Sequence, residues 1–417
     1  MDAVKYGLCG KTLTHSYSKK IHERLGNPEY RLCSFEEAEF EAFLRERTFR
    51  AVNVTLPYKK KACTSCDFLD AAAEKTDAVN TIVNRSGLLY GYNTDYFGFL
   101  NLVQASGISL VRKKVLILGS GGTSRTVGAA AEAMGAAECV MVSRNGPVDY
   151  KTVSEHRDAD LIINTTPVGM FPNNGSCLVD LKQFLHLCGV IDVVYNPLRT
   201  RLLYEAERLG IPCAGGLRML AAQAVRAHEL FFDCAVPERE VRIEDIFAQC
   251  RNEAENLLLI GMPGCGKTSV GRELARLTGR PFYDSDRCVQ EATGKEPALW
   301  IRQDGEAAFR RVETEVLREL TKRSGCVIAV GGGAVLAEEN RYLLRQNSWV
   351  IWLKRSLQSL STEERPLSEG NGTLETMWKE REPLYREAAD FCMTVEETPD
   401  AVAKRCLQLR KDGRRPF

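Results

Sequence analysis

Short apolar runs alternate along this chain with longer stretches whose apolar residues recur every three or four positions, the signature of strands followed by helices. Val4–Cys9, Tyr30–Phe35 and Ala51–Leu56 read as strands, with helices near Lys19–Leu25 and over Glu36–Arg47. Val79–Val83 and Leu88–Tyr92 flank Arg85-Ser86-Gly87 and predict a hairpin. The continuous apolar run Lys114–Gly119 predicts a strand buried on both faces, and Cys139–Ser143, Leu161–Asn164 and Val190–Val194 continue the series. Gly215–Phe232 reads as a long alanine-rich helix. Residues 233–254 are polar and charged with one short amphipathic stretch, a candidate linker, and a new α/β series starts at Leu257–Ile260.

Length and composition narrow the class. At 417 residues the chain exceeds the ~250–300 residues of a single core, so two or three domains are expected. Lys plus Arg number 56 against 55 for Asp plus Glu, and the balance holds in both halves. A nucleic-acid or anionic-membrane binder carries a basic surplus, which is missing here. No apolar run approaches the ~20 residues of a membrane helix. The opening residues lack the regions of a signal peptide, and the 15 scattered cysteines suit a reducing compartment, so a cytoplasmic location is expected. Cys63-Thr-Ser-Cys66 is the one CxxC; without a second pair or a nearby histidine it reads as structural.

The most specific motif is Gly261-Met-Pro-Gly264-Cys265-Gly266-Lys267-Thr268, a complete P-loop between an apolar strand and an amphipathic helix. Its backbone N–H groups converge on phosphate oxygens, Lys267 reaches the outer phosphates, and Thr268 serves Mg²⁺. ATP and Mg²⁺ are therefore expected in the second half. Asp284-Ser-Asp286 ends the next strand, where an open parallel sheet places its ligands. Gly331-Gly332-Gly333 follows the strand Val327–Val330, and Arg310, Arg365 and Arg381 lie in segments expected to face the same edge. Guanidinium forks suit carboxylates and phosphates.

This ordered set resembles shikimate kinase over nearly all of residues 255–417. The matching motifs are the P-loop, Asp284-Ser-Asp286, Asp304-Gly-Glu-Ala-Ala-Phe-Arg310-Arg-Val-Glu313, Gly331-Gly-Gly-Ala334, Arg365-Pro-Leu and Arg381-Glu-Pro-Leu-Tyr385. The resemblance implies that Asp286 holds the shikimate hydroxyls and orients or deprotonates the attacking one. It also implies that Arg310, Arg381, Gly332 and Gly333 grip the substrate, that Asp284 supports Mg²⁺, and that Arg365 arrives on a lid over Ser361–Gly372. All five histidines precede residue 250, which excludes histidine chemistry in this half.

In the first half, Gly119-Ser120-Gly121-Gly122-Thr123-Ser124 follows a strand and opens a helix, a dinucleotide fingerprint with Ser124 at its third glycine position. The next strand ends Ser143-Arg144-Asn145, with an arginine rather than the carboxylate that holds an NAD ribose. NADP(H) is favoured. Ser16 and Ser18, Thr55, Asn80 and Asp95 end strands or follow them, a hydroxyl-rich set for a small polyhydroxy acid.

These features resemble shikimate dehydrogenase over residues 1–245. The motifs are His15-Ser-Tyr-Ser18, Asn53-Val-Thr-Leu-Pro-Tyr-Lys59, Ala78-Val-Asn80-Thr, Gly91-Tyr-Asn93-Thr-Asp95, Asn164-Thr-Thr-Pro-Val-Gly169-Met170, Asp192-Val-Val-Tyr195-Asn-Pro and Met219-Leu-Ala-Ala-Gln223. The resemblance implies substrate contacts from Ser16, Ser18, Thr55, Asn80, Tyr195 and Gln223, a cofactor contact at Gly169, and a catalytic pair, Lys59 and Asp95. Lys60 and Lys61 follow, and their charges would bear on Lys59 if they faced it.

The resemblances imply an α/β chain: a two-domain dehydrogenase, with an α/β substrate domain and a Rossmann NADP domain, then a P-loop kinase domain with a parallel sheet. The boundaries fall at 1–96 (completed by a helix over 216–233), 97–215, a linker 234–254, and 255–417. A bifunctional enzyme follows, reducing 3-dehydroshikimate with NADPH and phosphorylating shikimate with ATP. The rivals are a first half of mixed quinate and shikimate specificity, and a regulator that binds without turnover. A regulator should have lost Lys59, Asp95, Lys267 or Asp286, and all four are present.

Overall fold

Six strands make the first sheet: β1 (Tyr6–Gly10), β2 (Tyr30–Ser34), β3 (Ala51–Val54), β4 (Phe68–Leu69), β5 (Thr81–Arg85) and β6 (Leu88–Tyr92). The computed structural model describes residues 4–13, 17–360 and 374–411, in two compact units, 1–251 and 252–417. The sheet order is β2-β1-β3-β5-β6-β4; β1, β2 and β3 run parallel, and β5 is antiparallel to β3 and β6. The hairpin turns on Ser86 and Gly87, with φ of 53° and 86°, because two residues at positive φ continue the twist of the strands. Arg85, expected in the turn, is the last residue of β5.

The second sheet holds β7 (Lys114–Leu118), β8 (Glu138–Val142), β9 (Leu161–Asn164), β10 (Gly189–Asp192) and β11 (Cys213–Gly215) in the order β11-β10-β9-β7-β8, all parallel. The continuous apolar run of β7 has a direct cause. Val115 and Ile117 pack into one core and Leu116 and Leu118 into another, on opposite faces of the sheet. The helix Leu217–Phe232 then returns to the first sheet, lying against β3 and β5 and against the helix Thr94–Ser106. Gly98 permits that approach, since a Cβ there would fall 2.7 Å from the Met219 carbonyl oxygen.

The expected linker is mostly helical. Arg239–Ala254 forms a helix whose Ile243, Ile246 and Cys250 are buried against Ile21, Leu25 and Leu220. Their spacing puts them on one face, and the surrounding charges mask that stripe in a composition reading. Glu229, almost fully buried, anchors the helix by accepting from Arg239 at 2.7 Å and from Arg226 at 2.8 Å.

The second unit is built on β12 (Asn256–Ile260), β13 (Phe282–Asp284), β14 (Val327–Ala329), β15 (Ser348–Lys354) and β16 (Phe391–Thr394), in the order β13-β14-β12-β15-β16, all parallel. In both parallel sheets the first strand lies between neighbours reached by opposite crossovers. The crevice beyond its carboxyl end is where such sheets take ligands. Among the described residues no helix is long and apolar enough to cross a membrane, and no three metal-ligating side chains cluster. Cys63 and Cys66 carry free thiols.

Two candidate active sites

In the first unit, Lys59 opens the helix Lys59–Ser65 after β3, and Asp95 lies in the first turn of the helix that follows β6. The Lys59 ammonium donates to Asp95 Oδ2 at 2.5 Å, with only 14% and 7% of the two side chains exposed. Asp95 is held in turn by Asn80, whose Nδ2 donates to Oδ1 at 2.9 Å. The Asn80 side-chain carbonyl oxygen accepts from the Thr94 backbone at 2.7 Å, which fixes the amide's orientation. Asn80, expected as a substrate contact, thus spends both ends of its side chain on the Asp95 turn. Behind it, Tyr30 donates to Asn53 at 2.7 Å and Asn53 to Thr81 at 3.0 Å. Lys60 pairs with Asp77 at 3.2 Å, and Lys61 with Glu37 and Glu41, so neither turns an uncompensated charge on Lys59.

Thr55, just past β3, and Ser18, the first residue of the helix Ser18–Arg24, are half-buried, and Ser16 lies outside the described residues. Tyr195 is half-buried and meets Tyr17 edge-on at 5.8 Å; burial raises its pKa. Gln223, on the helix Leu217–Phe232, has a buried Oε1 with no partner among the described residues. An orphaned buried acceptor is what a hydroxylated ligand would satisfy.

The dinucleotide loop leaves β7 at Gly119, where φ is 124° and a Cβ would fall 2.6 Å from Thr165 Oγ1. Ser124, the departure from the fingerprint, is buried. It accepts from the Gly121 backbone at 3.2 Å and lies 2.7 Å from Thr165 Oγ1, tying loop to β9. Ser120 is exposed, Thr123 is in the first turn of the helix Gly122–Ala133, and Gly169 takes φ 93° beside Thr200. Arg144 is exposed just past β8, after Ser143, and has no carboxylate partner among the described residues. A bare glycine loop at a helix N-terminus with such a cation one strand away fits a phosphorylated dinucleotide.

Sequence reasoning missed Asp192. Buried at the end of β10, it accepts from Asn164 at 2.9 Å, Val194 N at 3.0 Å and Thr200 at 2.6 Å, holding together the loops that carry Gly169 and Tyr195. Burial pushes its pKa up to about 6.

The second unit encloses a cavity of about 720 Å³ lined by the P-loop, Asp284, Asp286, Arg310, Gly331–Gly333 and Arg381. Gly261, Gly264 and Gly266 take φ of 143°, 79° and 100°, and Cys265 is buried beneath them. The Lys267 ammonium folds back on the carbonyls of Gly261 and Met262 at 2.9 and 3.0 Å, without a carboxylate partner among the described residues. Thr268 donates to Asp284 at 2.8 Å. A lysine resting on its own loop, with a hydroxyl and a carboxylate in contact, fits a nucleotide triphosphate and its Mg²⁺.

Arg310 is clamped by Glu313 at 2.7 Å and Glu306 at 2.8 Å. Arg381 is buried with an unpartnered Nε and makes no close ion pair among the described residues, although its charge bears on Glu313, so it is the less compensated cation of the pair. Glu313 is fully buried, and burial raises its pKa against the pull of Arg310. Ser285 pins the Gly331 N–H at 2.9 Å, and Tyr385 donates to the Gly332 carbonyl at 2.5 Å. These supports were unassigned in the sequence, although Glu313 follows Arg310 by one helical turn and Tyr385 follows Arg381 likewise. Arg365 and the expected lid segment 361–372 fall outside the described residues; Gly264, Gly266, Lys267, Thr268, Asp284, Asp286, Arg310, Gly332, Gly333 and Arg381 line this cavity, whereas Gly261 and the buried Cys265 do not.

Residues 8–82 match the shikimate dehydrogenase substrate binding domain, and residues 263–411 match shikimate kinase. The NADP(+) shikimate dehydrogenase of Clostridium perfringens is 34% identical over 248 residues, which cover 54% of this chain and 91% of that protein. The shikimate kinase of Chromobacterium violaceum is 43% identical over 169 residues, 38% of this chain and 92% of that one. The crystal structure of the Thermus thermophilus dehydrogenase in complex with NADP(H) and shikimate is similar at a TM-score of 0.52 and 30% identity, over 59% of this chain and 99% of that one. The chain therefore belongs to two families in succession, its first part to the shikimate dehydrogenases and its second to the shikimate kinases.

Proposed function

We propose that the chain catalyses two consecutive steps, NADPH-dependent reduction of 3-dehydroshikimate to shikimate and ATP-dependent phosphorylation of shikimate at its 3-hydroxyl. The product of the first site is the substrate of the second. The observation that carries the first step is the shielded Lys59–Asp95 pair beside the dinucleotide loop.

Bound NADPH would supply the hydride, and Arg144 would meet its added phosphate, which favours NADP over NAD. As charge gathers on the carbonyl oxygen, the Lys59 ammonium gives up a proton to it, which lowers the barrier. Asp95 keeps that ammonium in place and accepts from a ring hydroxyl, with Asn80 fixing its orientation. Ser16, Ser18, Thr55, Tyr195 and Gln223 hold the remaining polar groups.

In the second unit, bound ATP would supply the phosphoryl group and Mg²⁺ would offset the charge on it. Lys267 and the loop N–H groups neutralise charge on the phosphates, and Thr268 and Asp284 hold the ion. Asp286 orients or deprotonates the attacking hydroxyl, Arg381 and Arg310 take the carboxylate with Gly332 and Gly333, and Arg365, outside the described residues, is the further cation for the transferring charge.

The test is one vessel containing the protein, 3-dehydroshikimate, NADPH, ATP and Mg²⁺, followed by absorbance and product analysis. The expected outcome is NADPH consumption with shikimate 3-phosphate accumulating. No NADPH consumption would overturn the first assignment, and shikimate accumulating unphosphorylated would overturn the second.

A further inference from the structure

The Lys59 side chain is held from two directions, and only one of them is the catalytic carboxylate. Its methylene stem runs along the first turn of the cofactor helix: a Cβ built on Gly122 would lie 3.8 Å from Lys59 Cδ and 3.9 Å from its Cβ. At the tip, Nζ donates to Asp95 Oδ2 at 2.5 Å and also reaches Thr123 Oγ1 at 3.5 Å. The lysine belongs to the first sheet's domain and the threonine to the dinucleotide loop, 64 positions away.

We propose that Thr123 is a positioning residue for the proton donor of the dehydrogenase, coupling an occupied cofactor loop to the aim of the Lys59 ammonium. The proposal rests on the reading of Lys59 as that donor. An ammonium has three N–H groups, tetrahedrally disposed. With one committed to Asp95 and one to Thr123, the direction of the third is set, and that is the proton left for a carbonyl oxygen. With Asp95 alone the ammonium swings about a single bond, and the third N–H loses its aim.

The hydroxyl can serve both partners at once. It accepts from Lys59 through a lone pair, which leaves its own O–H free to donate to an anionic oxygen at the helix N-terminus. A hydroxyl that donates to a phosphate is a better acceptor, since hydrogen bonds in a chain polarise one another. Cofactor binding therefore tightens the long contact to Lys59. The adjacent Ser124 cannot take this role, because its buried hydroxyl is engaged by the Gly121 N–H and Thr165.

The experiment is rapid-mixing measurement of hydride transfer from saturating NADPH to 3-dehydroshikimate, in the full chain and in Thr123→Val and Thr123→Ser. Valine keeps the shape and removes the hydroxyl. Thr123→Val should slow the single-turnover rate about tenfold even at saturating NADPH, the loss expected of one hydrogen bond to a charged group. Thr123→Ser should restore the rate to within about twofold, with kinase activity equal in all three proteins. A hydroxyl that only binds nucleotide would give the opposite split, a weakened NADPH affinity with an unchanged saturated rate, and that result overturns the proposal. So does a serine variant as slow as the valine one. An unmodified chain without hydride transfer would overturn the dehydrogenase reading itself.

Discussion

The Arg310 guanidinium rests against the bare Cα of Gly333: a Cβ there would fall 2.6 Å from Cζ and 2.7 Å from Nη1. On its other side the guanidinium is clamped by Glu313 and Glu306, so it cannot retreat without breaking charge-assisted bonds. The triple glycine thus does more than admit substrate to the backbone, since its last member makes room for the arginine. Gly333→Ala should raise the shikimate KM of the kinase about tenfold or more, as expected from misplacing one ionic contact, and leave the ATP KM within about twofold. Steady-state kinetics with each substrate varied in turn checks this.

The two activities should separate cleanly by single substitutions. Lys59→Ala removes the proposed proton donor and leaves a nearly buried Asp95 carboxylate without its cation, so dehydrogenase turnover should fall about 10²–10⁴-fold. Phosphorylation of added shikimate should be unaffected. Lys267→Ala should give the mirror image, because among the described residues that ammonium rests on loop carbonyls alone and is left for phosphate. A variant that loses both activities would point to misfolding, which tryptophan fluorescence and hydrogen exchange detect independently.

Asp192 makes a prediction with a definite sign. Its folded pKa, raised to about 6 by burial, exceeds the ordinary carboxyl value of 3.8. A raised folded pKa means stability that is fully present below pH 3.8 and is lost as pH rises through about 6. The difference corresponds to roughly 3 kcal/mol, at about 1.4 kcal/mol per unit. An asparagine in its place would keep Oδ1 for Asn164 and Val194 N, and could donate to the Thr200 hydroxyl through Nδ2. Asp192→Asn should therefore be as stable as the parent or more so at pH 8, and lose that advantage at pH 4. Denaturant midpoints of the first unit at the two pH values measure it.

Much of this architecture was legible because the signals were local. Val115–Leu118 reads as a doubly buried strand because alternate residues enter two cores, and the P-loop reads as itself because backbone geometry demands its glycines at that spacing. The relationships that escaped were those between distant residues. Nothing in the charged stretch before residue 254 announces that Ile243, Ile246 and Cys250 find a buried face on the helix Leu217–Phe232. Asn80 reads as a ligand by its place at a strand end, and only the fold shows that Asp95 and Thr94 already engage its amide. Asp192 looked like one residue of a motif, whereas its burial among three donors makes it the tie between two loops.

His22 should make the first unit acid-sensitive, with a sign opposite to that of Asp192. The ring is fully buried, stacked on Tyr30 at 4.0 Å and near Phe231 at 5.5 Å, and its Nδ1 has no partner among the described residues. Burial, with the His228 charge adding to it, lowers its pKa from 6.5 to about 3. A depressed folded pKa contributes stability that is present above 6.5 and is lost as pH falls toward 3, here on the order of a few kcal/mol. Across pH 6 to 4 this loss runs against the gain from Asp192. His22→Phe retains the stacking and cannot take a proton, so its stability should fall less steeply over the same interval, even if the larger ring costs about 1 kcal/mol at pH 7. The four tryptophans, Trp300, Trp349, Trp352 and Trp378, all belong to the second unit, so their fluorescence is the internal control. Hydrogen exchange across Tyr30–Ser34 should show the parent opening as pH drops from 6.5 to 4 once rates are corrected for intrinsic exchange, and His22→Phe should largely abolish that trend. Equal slopes in the two proteins would mean that the ring is protonated without penalty.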